Sequence, residues 1–226
     1  MTKNSVPEQE ELIQTCLHEI GHAIAYAKQG HKLKGVTVDL TRLDESKPMG
    51  TCMPDYPPMA VLNLVELNGY ELADFYNLDR AKSLPNTIRQ SDLTVYREAV
   101  EDCLAIYLAG AVSEVFLYGV FYDKPVACSE TKLISLIKKM TNERIDVVCS
   151  DGPRSTEFAW DEVLIAFFLQ AHTSKGIYSK MIKRVLNELR CEAVTAIVKT
   201  MVPKLSTKGR LSKADLRAIE SAFQPA

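Results

Sequence analysis

Several things are scarce in this sequence, and each scarcity closes off a class of function. Lysine and arginine total 27 against 29 acids, a formal charge of -2. That leaves no basic field for nucleic acid and no polyanionic tail, so nucleic-acid binding is not expected. The six cysteines are scattered and include no Cys-x-x-Cys pair. In a chain of this length they are expected as reduced thiols rather than a disulfide framework. The opening stretch MTKNSVPEQEE has no apolar core of a signal peptide, and a cytoplasmic location is the expectation. Long apolar runs are also missing. The most lipid-like stretch, Ala105 to Phe121, carries Glu114 in its middle and is shorter than the roughly 20 residues a spanning helix needs. It reads as a buried helix, with no membrane span. No Gly-x-x-x-x-Gly-Lys-Ser/Thr phosphate loop occurs anywhere.

What is present suits a folded domain. Apolar residues make up 46% and charged residues 25% of 226, enough to build a hydrophobic core. Glu10 to Lys28 reads as a helix, because Ile13, Cys16, Leu17, Ile20, Ile24 and Ala27 recur mostly at spacings of three and four. Gly30 is its expected stop. Lys34 to Leu40 alternates apolar and polar residues and reads as a strand, and Met53 to Met59, MPDYPPM, as irregular. Helical patterns follow over Ala60–Tyr76, Leu93–Gly119, Ser129–Thr141, Thr156–Ala171 and Ile177–Met201. Val147–Ser155, containing SDGP, reads as a turn-rich break. Ser212 and Asp215 open a last helix, to Phe223, with a capping-box arrangement.

The chemistry is concentrated in His18-Glu19-Ile20-Gly21-His22. Residues i and i+4 of a helix lie one turn apart on one face, so both imidazoles can reach one metal ion. Glu19 projects roughly 100° away from His18 and is placed to hold a water on that ion. The apolar set of the same helix falls roughly opposite the histidines, so one face is held in the core while the other offers ligands to a cleft. Gly21 inside a helix costs about 1 kcal/mol against alanine, which points to close packing at that position. A zinc site of the HExxH type is the resulting expectation.

His18 to Ala23 resembles the HEAGHA signature of the peptidase domain of FtsH-type ATP-dependent zinc proteases. Gly50-Thr51 after the strand is similar to that family's Gly-Tyr-Thr turn. Ile106-Tyr-Leu-Ala-Gly-Ala-Val-Ser-Glu114 is similar to its LGGRAAEE helix, and KGRLSKADLRAIESA to its closing helices. The resemblance implies a mainly α, helical zincin-like metallopeptidase domain with one small β-sheet beside the HExxH helix. One domain over 1–226 is expected: metal-binding helix and sheet in 1–52, an insertion or lid in 53–98, the small-residue and third-ligand helices in 99–155, and C-terminal helices in 156–226.

A catalytic zinc needs three protein ligands and an open position. The family's third ligand is an aspartate in a Ser-Asn-Asp-Leu context, and the corresponding Ala127-Cys-Ser-Glu-Thr-Lys-Leu133 has none. The resemblance places Glu130 there, with Asp123 and Cys128 as alternatives. An acid after Ser129 at a helix N-terminus is equally favoured by the helix dipole alone. Glu114 is expected to orient a site histidine or to satisfy buried polar groups, rather than to bind metal. His31 reads as a turn residue and His172 as a helix-end residue, neither assigned to the site.

The implied function is a zinc metalloendopeptidase, with Glu19 as general base toward a zinc-activated water. The strand around Val36 to Leu40 is expected to pair with an extended substrate. With no phosphate loop, ATP-driven unfolding is not expected from this polypeptide. A protein or peptide substrate, a separate ATPase or other partner, and a monomer or small oligomer are the expectations. The rival reading is a catalytically inactive relative serving as an interaction module, for which the missing family aspartate speaks. The retained Glu19 speaks against it.

Overall fold

The computed structural model describes residues 6–41, 49–55, 97–124, 126, 128–151, 160–171 and 176–224. Most of the 53–98 insertion, including the helical pattern at 60–76, and His172 lie outside them. The described residues are mainly helical with one small two-stranded sheet. In chain order they form α1 (Val6–Lys28), β1 (Leu33–Val38), β2 (Gly50–Pro54), α2 (Arg97–Phe121), α3 (Glu130–Asp151), α4 (Trp160–Ala171), α5 (Ile177–Leu189), α6 (Glu192–Lys208) and α7 (Lys213–Ser221). The chain divides into two compact units, one of 1–56, 109–127 and 185–226, the other of 57–108 and 128–184.

In the first unit α1 lies at the centre, packed against β1, β2, α6 and α7. Its apolar residues are not confined to one stripe: Leu12, Leu17, Ala23 and Tyr26 are buried along with Ile13, Cys16, Ile20, Ile24 and Ala27. A helix apolar nearly all round is a core helix rather than a surface one. Lys28 suits the dipole at its C-terminal turn, and Gly30, at φ 79°, ends it. Val36, Val38, Val194, Val198, Val202, Leu205 and Ile219 complete this core.

The antiparallel sheet pairs Val36 with Cys52, Thr37 with Thr51 and Val38 with Gly50. Met53 and Pro54 belong to β2, so the irregular reading of MPDYPPM fails for its first two residues. Pro54 is tolerated because it occupies the strand's last position. The other edge of β1 is occupied as well. Val38 N–H donates to the Gly209 carbonyl at 2.7 Å and Leu211 N–H to the Val36 carbonyl at 3.0 Å, with Thr37 opposite Arg210. Gly209 makes this possible, since at φ 66° it closes α6 and a Cβ there would meet the Val38 carbonyl oxygen at 2.8 Å. Substrate pairing on Val36–Leu40 is therefore corrected: β1 has no open edge.

Two helix boundaries also differ. Ile177–Met201 is not one helix but two, because Cys191 adopts an extended conformation (φ -116°, ψ 156°) and opens α6 as its N-cap. α3 runs through Val147 to Asp151, ending just before Gly152-Pro153, where a helix cannot comfortably continue. In the second unit α3 packs on α4 over Leu133, Ile137, Leu164, Ile165 and Phe168. Tyr107 stacks on Phe168 at 6.1 Å between centroids.

α2 is buried over most of Val100 to Val112. Its stretch Val100–Phe121 is long and apolar enough, by length and composition, to cross a membrane, and most of it is buried inside the fold. Burial within the protein gives it a core role without a bilayer.

The capping box is present in α7. Ser212 Oγ accepts from Asp215 N–H at 3.2 Å and the Asp215 carboxylate accepts from Ser212 N–H at 3.0 Å. The Lys204 ammonium bonds the same carboxylate. Lys204 first, then Ser212, hold the Asp215 pKa down from 3.8 to about 2. A group with a lowered folded-state pKa contributes stability that is present above its unfolded value and lost as pH falls through the folded one. Asp215→Asn is expected to cost about 1 kcal/mol at neutral pH. In acid titrations followed by circular dichroism, its deficit against wild type should shrink below pH 3.8 and close near pH 2.

Candidate metal centre

The HExxH residues sit in the middle of α1, where the helix is best buttressed. Glu19 and His22 are buried, at 6% and 4% exposure. His18 and His22 turn their rings toward each other with centroids 4.7 Å apart, and their Nε2 atoms approach to 2.9 Å. Two nitrogens on one tetrahedral zinc, each about 2.0–2.1 Å from the ion, lie roughly 3.3 Å apart. The pair thus needs to open by only a few tenths of an ångström.

The tautomer of His18 follows from its other nitrogen. Nδ1 lies 2.6 Å from Glu114 Oε1, and the side chains of both residues are mostly buried. The carboxylate accepts, so Nδ1–H donates, and a neutral His18 then presents a bare lone pair at Nε2. This carboxylate–histidine arrangement is what orients metal-binding imidazoles. Glu114 comes from α2, the helix similar to the LGGRAAEE segment, and its expected role of orienting a site histidine matches this contact.

Two glycines create the space. A Cβ on Gly110 would lie 2.4 Å from His18 Nε2, 2.5 Å from His18 Cε1 and 2.5 Å from His22 Nε2, so only a glycine lets both rings occupy these positions. A Cβ on Gly50, the first residue of β2, would lie 2.4 Å from Glu19 Oε1. Gly21 faces the other way: its Cβ would meet Ser113 Oγ at 2.1 Å and the Ala109 carbonyl oxygen at 2.6 Å. It is the close-packing position between α1 and α2 that a glycine inside a helix suggested. Gly110 and Gly50, by contrast, keep the ligand tips and the glutamate clear. Their role was hidden in sequence, where Gly110 was one more small residue in AIYLAGAVSE. The residues present fit a divalent ion through the facing Nε2 pair and the cradle at Gly110.

The other acids and thiols singled out in the sequence have the following surroundings. Asp123 lies past the end of α2, nine residues beyond Glu114, or roughly 13 Å along the axis. It is exposed at φ 53°, and it binds Lys199 Nζ at 2.6 Å, which also takes the Phe121 carbonyl at 2.8 Å. Asp123 thus closes a helix end. Glu130, in the first turn of α3, pairs with Lys183 Nζ at 3.2 Å. Cys128 is a half-buried free thiol. Burial, then the Glu19 charge, push the Cys16 thiol up to about 12, so this cysteine stays protonated and is no nucleophile. His31 lies in the turn after α1, edge-on to Tyr26 at 5.7 Å. In the second unit Asp161 stands in the first turn of α4, half-buried.

No family model, no curated protein and no solved structure matches this chain.

Proposed function

We propose that the protein is a zinc metallopeptidase of the HExxH type, built on a helical zincin-like domain. The observation that carries the reading is the facing pair of Nε2 atoms on His18 and His22, with Nδ1 of His18 held by Glu114. Surface histidines have no need of such an arrangement. We assign two protein ligands, His18 and His22, both on α1. The Glu130 charge has a partner in Lys183, and its place at the start of a helix gives it a structural use.

Zinc, when bound, supplies a Lewis acid that lowers the pKa of water and polarises a carbonyl. The chain supplies the rest. His18 and His22 would hold the ion through Nε2, and Glu114 would keep the proton on His18 Nδ1 so that Nε2 stays free to bind. Glu19, one residue from His18 and cleared by Gly50, takes the proton of the attacking water and delivers it to the leaving amine. With β1 paired on both sides, an extended substrate would have to use the outer edge of β2, which carries no further strand among the described residues.

The test of the ligand set is zinc content per chain, after reconstitution and desalting, in wild type and two variants. His18→Ala and His22→Ala are each expected to lose most of their zinc, while wild type keeps about one ion per chain. Zinc kept at that level in both variants would take the ion off α1.

A further inference from the structure

We infer that the junction of β1 with the α6–α7 turn is a docking face for an acidic polypeptide. The chain as a whole is slightly acidic, yet positive charge gathers here. Between Lys28 and Val38 there are three lysines and no acid, and between Lys204 and Arg217 five basic residues and one acid, Asp215. Lys204 is committed to that acid and Lys28 lies over the Phe223 ring at 4.8 Å. The remaining six, Lys32, Lys34, Lys208, Arg210, Lys213 and Arg217, are all exposed.

The fold brings these six together from two distant parts of the chain. Arg210 stands opposite Thr37 across a bridge on the edge of β1, with Lys208 just before it. The irregularity between Leu33 and Gly35 leaves Lys34 exposed beside the buried Leu33. On α7, positions 213, 217 and 220 share one stripe by helix geometry. Glu220 of that stripe accepts from the Leu33 N–H at 2.7 Å, which pins the stripe beside Lys32 and Lys34. Besides Glu220 within the stripe, two more acids border the face. Asp55 donates its N–H to the Lys32 carbonyl at 2.8 Å, and Asp39 is turned to the Thr41 hydroxyl at 2.6 Å.

The chemistry of the surroundings selects the partner class. Thr37 and Thr51 are exposed on the sheet's outer face, beside Met53 at 44% exposure. Hydroxyls and one thioether among cations suit carboxylates carried on a peptide chain. Single-stranded nucleic acid needs aromatic platforms for its bases, and among the described residues no exposed tyrosine, tryptophan or phenylalanine stands beside the six. A membrane surface needs several apolar anchors as well as charge, and Met53 is a single one. The inference does not depend on the metal centre or on any peptidase activity.

The test is fluorescence anisotropy of a labelled poly-glutamate peptide on the full-length Glu19→Gln protein, which removes cleavage from the readout. Poly-lysine, an oligothymidylate and phosphatidylserine vesicles are measured alongside. Poly-glutamate is expected to bind best, and Lys34→Glu/Arg210→Glu/Lys213→Glu to weaken it by at least about tenfold. Raising salt from about 0.05 to 0.5 M should have a similar effect on the unreversed face. The milder Lys34→Gln/Arg210→Gln/Lys213→Gln protein should fall between, and it stands in if the charge-reversed protein does not fold. Equal poly-glutamate affinity in these variants, no binding at all, or tighter binding of the oligonucleotide or the vesicles would overturn the assignment.

Discussion

Replacing Glu19 by glutamine is expected to leave zinc in place and to slow peptide hydrolysis by about 10²–10⁴-fold. Glutamine has nearly the shape of glutamate, and the space is fixed: the side chain is 6% exposed and lies directly against Gly50. The facing Nε2 atoms of His18 and His22 belong to other residues and are not disturbed. What the change removes is a carboxylate able to take a proton from water and return it to the departing amine. Zinc analysis and initial rates on a labelled unstructured polypeptide separate the two effects. A Glu19→Gln protein that holds zinc and cleaves at the wild-type rate would remove Glu19 from the mechanism.

Gly110→Ala is expected to separate the metal centre from the fold. The added methyl would fall 2.4–2.5 Å from the Nε2 atoms of both histidines, well inside van der Waals contact. Those atoms are the ends of side chains that can rotate away, so α2 need not move. Alanine is also the better helix former by about 1 kcal/mol, which offsets part of any packing cost. The variant should fold with a thermal midpoint close to that of metal-free wild type, while its zinc affinity falls by about 100-fold or more. Gly21→Ala provides the contrast. Its methyl would meet the Ala109 backbone carbonyl oxygen at 2.6 Å, which cannot swing aside, so this variant should lose stability first. Calorimetry with and without zinc reads both outcomes. Wild-type zinc affinity in Gly110→Ala would mean that the two imidazoles do not share an ion in front of Gly110.

The sequence made some of this legible and concealed the rest for identifiable reasons. α1 was readable because its apolar residues recur every three or four positions up to a glycine at φ 79°. The capping box of α7 was readable because Ser212 and Asp215 bond at a fixed local spacing. The break at Cys191 was not, since its extended backbone comes without a proline or glycine, and apolar spacing continues across it. β2 was obscured by prolines that follow rather than interrupt it. At the site, His18, Glu19 and His22 carry a local signature, because all three ride on one helix. Glu114 could be suspected as an acid inside an apolar helix, yet its partner is 96 residues away. The closed outer edge of β1 depends on Gly209 to Leu211, some 170 residues later, and no strand pattern predicts that.

The central claim is that a metal held on α1 hydrolyses peptide bonds. The most direct test is cleavage of a labelled unstructured polypeptide by chelator-stripped protein, before and after addition of one equivalent of zinc. The account predicts no cleavage without zinc and cleavage restored at about one zinc per chain. Zinc that binds at that stoichiometry without restoring cleavage of any peptide in a broad library would contradict it. The HExxH helix would then be the core of an interaction module.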